Sequence, residues 1–185
     1  MLDHFDLIAS IYDRLIGPPN TERLQQLLNL PTDGWLLDGG GGTGRVSSRL
    51  NGLVGHIVVS DLSQHMLKKA QRKKVRPVRA HVEHLPFADG FFDRVLVVDA
   101  LHHFCDQGEA IEDLLRVLKP GGRLVIEEPD YNHKGIKLLA FAEKMLLMRS
   151  HFYTPKKIQK IIVSCGFSAK IEYDDRYTAW VVVEK

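Results

Sequence analysis

The stretch WLLDGGGGTGRV, from Trp35 to Val46, decides the fold of this chain. Apolar residues suited to a buried strand lead into four consecutive glycines, and a segment with helical spacing follows. A glycine-rich turn between a strand and a helix brings backbone N–H groups close to a ligand, because glycine has no Cβ to block the approach. The stretch therefore predicts a nucleotide-type cofactor site after the first strand of an α/β sheet.

The glycine run can be read in two registers. The register G-x-G-x-x-G, which begins at Gly39, is typical of dinucleotide sites. The register D-x-G-x-G-x-G, typical of sites for S-adenosylmethionine, consists of Asp38, Gly40, Gly42 and Gly44. The carboxylate of Asp38 would repel a pyrophosphate at short range, whereas it attracts an ammonium and a sulfonium. The second register is favoured, and a nicotinamide dehydrogenase is the alternative.

Length and composition favour one soluble domain. The chain has 185 residues, 44% of them hydrophobic and 26% charged, which is enough to bury a single core. It has no apolar run of about 18 residues, and Asp3 and Asp6 argue against a signal peptide. Cys105 and Cys165 are far apart and form no C-x-x-C, so we expect reduced thiols. A cytoplasmic protein without a membrane span is expected.

The charge balance does not favour a nucleic-acid partner. Basic residues number 25 against 23 acidic ones, a net charge of +2 at pH 7. Seven basic residues do lie between Lys68 and Arg79 without an acid. However, the sequence indicates no appended RNA-binding module and no cluster of stacking aromatic residues. RNA methylation is therefore kept only as an alternative to a small-molecule acceptor.

Apolar runs alternate with segments of helical spacing, a pattern that builds a parallel sheet covered on both faces. Strands are predicted near 34–39, 56–61, 76–81, 92–99 and 122–128, and helices near 44–51, 63–74 and 106–118. The expected fold is a doubly wound, Rossmann-like α/β sheet in one domain that spans residues 1–185.

Both ends of the chain add elements to this frame. Residues 1–30 are predicted to form a helical cover, with Thr21 as the N-cap of its second helix. A later helix is capped by Thr154 and ends at Gly166. The last residues alternate like two strands around a turn near Asp174, which predicts an antiparallel hairpin.

Asp61 ends the second predicted strand, 21 residues after Gly40. An acid about 20 residues beyond the first glycines accepts hydrogen bonds from ribose hydroxyls in nucleotide-binding sheets. An aspartate at a strand end can instead cap the following helix, but Ser63 offers that cap here. Asp61 is therefore predicted to bind the ribose of the cofactor.

Five motifs follow one another along the chain: YDRL, LLDGGGGTGRV, VVSDLSQHMLKKA, HVEHLPFADGFFDRVLVVDALHHF and VLKPGGRLVIEE. Together they resemble the class I S-adenosylmethionine-dependent methyltransferases, in particular the small type 11 group similar to ubiquinone and menaquinone C-methyltransferases. The resemblance runs from about Phe5 to Lys185. It implies a seven-stranded sheet with an antiparallel last strand. It also implies transfer of a methyl group from S-adenosylmethionine to a small acceptor, with S-adenosylhomocysteine as the product.

The resemblance assigns cofactor contacts residue by residue. Asp38 and the three glycines of its register match the loop around the methionine half of the cofactor, and Asp61 matches the ribose acid. Leu62 and Met66 match apolar contacts to the adenine. Tyr12 matches a tyrosine that folds over the methionine end, although it is equally suited to anchor an amphipathic helix.

One motif departs from the family pattern. The family usually has aspartate, alanine and glutamate where this chain has His81, Val82 and Glu83, and the aspartate receives the amino group of the adenine. Neutral His81 can accept one hydrogen bond from that group, more weakly than a carboxylate does. The departure motivates a second hypothesis, a protein that binds S-adenosylmethionine without catalysis.

Residues near the transferred methyl are predicted at the end of the fourth strand, where open α/β sheets place ligands. Asp99 is counted among the cofactor contacts. Either His102 or His103 could remove a proton from the acceptor, or both could serve only in packing and hydrogen bonding. Glu127 and Glu128, after the fifth strand, could touch the acceptor. No histidine pair has the spacing of metal ligands, so no metal is predicted.

Residues 131–153 are interpreted as a lid insertion. Apolar side chains cover more than one face of its predicted helix, which is wider than one core stripe needs. The segment could close over an apolar acceptor such as a quinone ring or a lipid, or pack against the N-terminal helices or a dimer partner. The sequence leaves the acceptor atom, and the choice between monomer and homodimer, open.

Overall fold

The computed structural model describes residues 19–130, 151–174 and 178–185. Seven strands in these ranges form one sheet in the order β3-β2-β1-β4-β5-β7-β6. They are β1 Thr32–Gly39, β2 Val54–Asp61, β3 Arg76–Arg79, β4 Phe92–Val98, β5 Leu118–Pro129, β6 Ala169–Tyr173 and β7 Thr178–Glu184. β7 runs antiparallel to β5 and β6, and the other neighbours are parallel. The predicted fold class is confirmed.

The helices in the described ranges cover the sheet from both sides. They are α1 Thr21–Leu28, α2 Gln64–Ala70, α3 Gln107–Val117 and α4 Pro155–Ser164, with short 3-10 turns at Ser47–Leu50, Gln71–Lys73, Val82–His84 and Leu101–His103. The side chain of Thr154 caps α4 by accepting from the N–H of Lys157, as predicted. The hairpin predicted near the C-terminus is also confirmed by β6 and β7.

Two predicted helix starts are wrong. α1 is capped by Asn20, whose side chain accepts from the N–H of Arg23 at 3.2 Å, so Thr21 is the first helical residue rather than the N-cap. The helix predicted over 44–51 is reduced to a four-residue 3-10 turn. Gly44, the first residue of the predicted helix, has a φ of +67°, which is outside the right-handed helical region.

The sheet buries apolar side chains on both faces, because neighbouring residues of a strand point to opposite sides. Leu37 packs on one face with Ile111 of α3. Leu36 packs on the other with Leu24 of α1 and Leu67 of α2. This two-sided burial fixes the carboxyl ends of β1, β2 and β4 beside one another.

An aromatic cluster lies at the amino ends of the strands. The ring of Trp35 is 4.3 Å from that of His56 and 5.2 Å from that of Phe91, and the guanidinium of Arg76 lies 5.0 Å from the Trp35 ring. These rings meet at tilted angles of 41° and 58°, and they come from positions that are distant in sequence. The cluster is at the end of β1 opposite the glycine turn, so it does not bring an RNA base to that turn.

Candidate functional site

A pocket opens at the carboxyl ends of β1, β2 and β4, the edge at which open α/β sheets bind ligands. The predicted site residues that line it are Gly40, Gly42, Asp61, Leu62, Met66, Val82, Glu83, Asp99 and His103. The lining is completed by Ala80, Ala100, Phe104 and Cys105. No role is predicted from the sequence for these four residues, which contribute to the shape of the pocket.

Backbone hydrogen bonds fix the glycine turn to β2. The N–H groups of Gly40 and Gly41 donate to the carbonyl of Ser60 at 2.8 and 3.2 Å. The φ of Gly40 is +72°, a left-handed value that L side chains adopt rarely. A Cβ on Gly40 would lie 2.8 Å from the Cβ of Ala100. Glycine at this position therefore keeps the pocket open.

The carboxylate of Asp61 joins the glycine turn to the start of α2. Its Oδ2 accepts from the N–H of Gly42 at 2.9 Å, and its Oδ1 accepts from the N–H of Ser63 at 2.8 Å. Ser63 is the N-cap of α2, as predicted, and its Oγ accepts from the N–H of Met66. A carboxylate has about four lone-pair sites, and Asp61 also lines the pocket.

Asp38 lies beneath the turn rather than in the lining. Its side chain is 1% exposed, and burial raises its pKa to about 6, with the nearby Ser47 acting in the opposite sense. Its Oδ2 is buried without a hydrogen-bond partner, and a Cβ on Gly41 would collide with the carboxylate. Gly44 also lies outside the lining, next to Ala70. Asp38 and Gly44 thus contribute to the shape of the turn without lining the pocket.

The end of the pocket predicted for adenine departs from expectation at His81. This side chain is 57% exposed and does not line the pocket, and its Nδ1 lies 3.8 Å from Oε2 of Glu83. Glu83 is buried, and its Oε1 accepts from the N–H groups of Cys105 and Asp106 at 2.8 and 3.2 Å. Glu83 therefore ties the chain after β3 to the start of α3.

The two adjacent histidines after β4 have different surroundings. His102 is 2% exposed and does not line the pocket, which favours the packing and hydrogen-bonding alternative for this residue. His103 lines the pocket, but burial and the neighbouring His102 lower its pKa to about 3. A general base works best with a pKa near the operating pH. His103 is therefore a weak base at neutral pH, and His102 lies outside the pocket lining.

Two acids at the ends of β4 and β5, Asp99 and Glu127, have raised pKa values. Burial raises the pKa of Asp99, with Glu128 adding to the effect and His102 opposing it. Burial, followed by repulsion from Asp99, raises the pKa of Glu127 from its ordinary value of 4.5 to about 8. The Oε2 of Glu127 is also buried without a hydrogen-bond partner. An ionised Glu127 is therefore unfavourable for the folded state.

Between about pH 4.5 and about pH 8, we expect the free energy of unfolding to fall less with rising pH in Glu127→Gln than in the parent protein. Folded protein keeps this proton to a higher pH than unfolded protein does, so the free energy of unfolding falls as pH rises through this window. Glutamine removes the titration and should shrink the fall by at least about 1.4 kcal/mol, one pKa unit. Urea denaturation across the window measures it. Glu184→Gln, at an exposed carboxylate, is the control, and equal slopes in both variants would contradict the burial of Glu127.

Some expectations fall outside the described residues. Tyr12 and the first predicted helix belong to residues 1–18, and most of the predicted lid belongs to residues 131–150.

Within the described ranges, no three His, Cys, Asp or Glu side chains are arranged to hold a metal ion. In the same part of the chain, no helix is long and apolar enough to cross a bilayer.

Solved structures define the class of fold. A chain in the complex of the Haloferax volcanii Trm112 methyltransferase activator with a methyltransferase superposes with a TM-score of 0.83 at 17% identity, covering 100% of this chain and 98% of that one. For an S-adenosylmethionine-dependent methyltransferase of Thermotoga maritima the TM-score is 0.80 at 20% identity, with coverage of 98% and 97%. The cyclase SpnF gives 0.81 at 17% identity, with coverage of 98% and 93%. This chain shares its fold with two methyltransferases and a cyclase, so the fold alone does not fix a reaction.

Sequence comparison then gives the proteins to which part of the chain is similar. Residues 37–126 match the methyltransferase domain family. The ubiquinone/menaquinone biosynthesis C-methyltransferase UbiE of Haemophilus ducreyi is 39% identical over 104 residues, covering 50% of this chain and 40% of that protein. The chain thus spans about two fifths of the length of this curated relative. Close to half of this chain is thus similar to a methyltransferase domain.

Proposed function

We propose that this protein transfers a methyl group from S-adenosylmethionine to a small, hydrophobic acceptor. The observation that carries the proposal is the hydrogen bond between Asp61 and Gly42, because it sets the acid predicted to bind ribose against the glycine turn within one pocket. The domain family supports the reaction type. The relative named for ubiquinone and menaquinone biosynthesis supports an apolar acceptor.

The residues of the pocket fit the cofactor. Gly40 leaves free the space that a Cβ would fill, Asp61 offers acceptors toward ribose hydroxyls, and Leu62 and Met66 offer an apolar surface to an adenine. The buried Oδ2 of Asp38 places negative charge beneath the turn, which suits a cationic methionine half. When bound, S-adenosylmethionine supplies a methyl group activated by its sulfonium.

The residues after β4 are suited to position the acceptor. Asp99, His103 and Phe104 line the pocket beyond the glycine turn. An in-line methyl transfer depends mainly on holding the acceptor about 3–3.5 Å from the methyl carbon. With a pKa of about 3, His103 is neutral at pH 7, so it can pack against an apolar acceptor without a charge. We assign these residues to positioning and assign none to proton transfer.

Isotope-labelled methyl from S-adenosylmethionine, incubated with the protein and an extract of the source cells, should appear in the organic phase after partition. An apolar acceptor keeps its label in organic solvent, and Asp61→Ala protein should add less label to that phase than the parent protein does. Label confined to the water phase would contradict the hydrophobic acceptor and direct the search to polar metabolites or RNA. Quinones and lipids would be tested individually after organic labelling.

A second candidate is a protein that binds S-adenosylmethionine without catalysis. It is favoured by His81, which stands outside the pocket where the family usually has an adenine-binding aspartate. Turnover with any acceptor excludes this candidate. Tight binding of NAD without binding of S-adenosylhomocysteine would instead support the dehydrogenase alternative. A cytoplasmic location, and the choice between monomer and homodimer, stay predictions.

A further inference from the structure

The carboxylate of Glu128, at the end of β5, is surrounded by donors from the loop after β4. Its Oε1 accepts from the N–H groups of Ala100 and Leu101 at 3.0 and 2.8 Å, and its Oε2 lies 2.6 Å from Nδ1 of His102. Glu128 is 4% exposed and His102 is 2% exposed. Loss of these hydrogen bonds would be costly, because a buried N–H group cannot bond to water in place of the Glu128 carboxylate.

Glu128 does not line the pocket, so the expectation that it touches the acceptor finds no support in the geometry. One of its three partners does form part of the pocket wall. Ala100 lines the pocket, and the same loop supplies Asp99, His103 and Phe104 to the lining. The shape of this wall therefore depends on the backbone that Glu128 binds.

The loop begins with an unfavourable backbone conformation at Asp99, whose φ is +53°. A non-glycine residue keeps such a conformation only where its surroundings hold it. The N–H of Asp99 donates to the carbonyl of Glu127 at 2.9 Å, and the next two N–H groups are those bound by Glu128. The Glu128 carboxylate is thus part of what holds the left-handed turn that directs Asp99 to the pocket.

The same unit extends to the chain that follows residues 131–150. The carbonyl of His102 accepts from the N–H of His151 at 2.8 Å, and the side-chain amide of Gln107 donates to the carbonyl of His151. The ring of His102 stacks on that of Phe152 at 4.2 Å with an interplanar angle of 15°. His102 therefore connects the Glu128 carboxylate to a third segment of the chain.

We infer that Glu128 is a positioning residue for the cofactor pocket. It does not line the pocket itself and acts through the N–H groups of residues 100 and 101, which keep Asp99 and His103 in the pocket wall. His102 is held by the same carboxylate and completes the unit. The inference rests on the proposed function, because its consequence is measured as affinity for a product of that function.

Two substitutions test the inference by removing the carboxylate or shortening its reach. Glu128→Ala and Glu128→Asp should each bind S-adenosylhomocysteine about fivefold more weakly in calorimetry. Hydrogen exchange at the amides of Ala100 and Leu101, followed by NMR, should be at least about tenfold faster in these variants than in the parent protein. The amides in the middle of β1 should keep their exchange rates.

Glu128→Gln is the conservative variant. Its amide oxygen can still accept from both N–H groups, and its NH₂ can donate to Nδ1 of His102 in the other tautomer. Affinity and amide protection should therefore stay within about twofold of the parent protein. Glu109→Gln, which changes an exposed carboxylate at the start of α3, controls for the loss of a negative charge.

The outcomes separate this inference from the function on which it rests. Unchanged affinity in a folded Glu128→Ala protein, or unchanged exchange at the Ala100 and Leu101 amides, overturns the positioning role. Should Glu128→Ala fail to fold, the contrast between Glu128→Asp and Glu128→Gln decides the question. If the parent protein does not bind S-adenosylhomocysteine, the proposed function fails, and the amide exchange still shows whether Glu128 holds the loop.

Discussion

Gly40→Ala is expected to weaken binding of S-adenosylhomocysteine by more than about a hundredfold, the equivalent of about 2.7 kcal/mol. The new Cβ would lie 2.8 Å from the Cβ of Ala100 and 2.9 Å from a ring carbon of Phe104, closer than such atoms pack. Both neighbours line the pocket, so any movement that relieves the collision deforms the pocket wall. The φ of +72° adds a backbone cost for alanine. Isothermal calorimetry on the folded variant measures the loss.

Gly52→Ala separates the backbone cost from the collision. Gly52 has a φ of +85°, but a Cβ there would meet nothing within 4 Å, and the residue does not line the pocket. This variant should lose stability by about 1 kcal/mol in urea denaturation and keep its affinity for S-adenosylhomocysteine. Equal affinity in the Gly40 and Gly52 variants would show that the turn does not form the cofactor site.

Asp61→Ala is expected to weaken binding of S-adenosylhomocysteine by more than tenfold, at least about 1.4 kcal/mol. The substitution removes the acceptors predicted for the ribose hydroxyls, and hydrogen bonds to a carboxylate are stronger than those between neutral groups. It also releases the N–H of Gly42 and the N–H of Ser63, which hold the turn and the start of α2. Calorimetric titration with S-adenosylhomocysteine measures the effect.

Asp89→Ala is a matched control for the loss of an aspartate. Asp89 pairs with Arg116 at the surface, where its side chain is 82% exposed, and it does not line the pocket. Exposed ion pairs contribute little to stability, so both stability and affinity should stay close to those of the parent protein. An unchanged affinity in a folded Asp61→Ala protein would remove Asp61 from the site.

The features that the sequence predicts correctly depend on signals between residues close in the chain. A run of apolar residues before the glycines marks β1, and Asp61 is found by its spacing from Gly40. Ser63 is found as the cap of α2 because its side chain bonds to a backbone N–H only three residues away. The alternation of the last residues predicts β6 and β7 for the same reason.

The sequence also leads to errors where a local signal has two readings. Thr21 and Asn20 are both good N-caps, and the backbone at Asn20 decides between them. His102 and His103 have the same chemistry and adjacent positions, so no pattern assigns one to the interior and the other to the pocket. That distinction arises because Glu128 meets His102 across 26 residues of chain.

The sequence by itself determined the fold class, the glycine turn and the acid at the end of β2, because propensity, periodicity and spacing act over a few residues or at a fixed distance along the chain. Only the tertiary structure decided the partners of Glu83 and Glu128, the position of Asp38 beneath the turn and the lining by Phe104. The physical reason is that packing of the sheet brings together strand ends and loops that are far apart in sequence. Burial then decides which polar groups must bond to each other and which face the pocket.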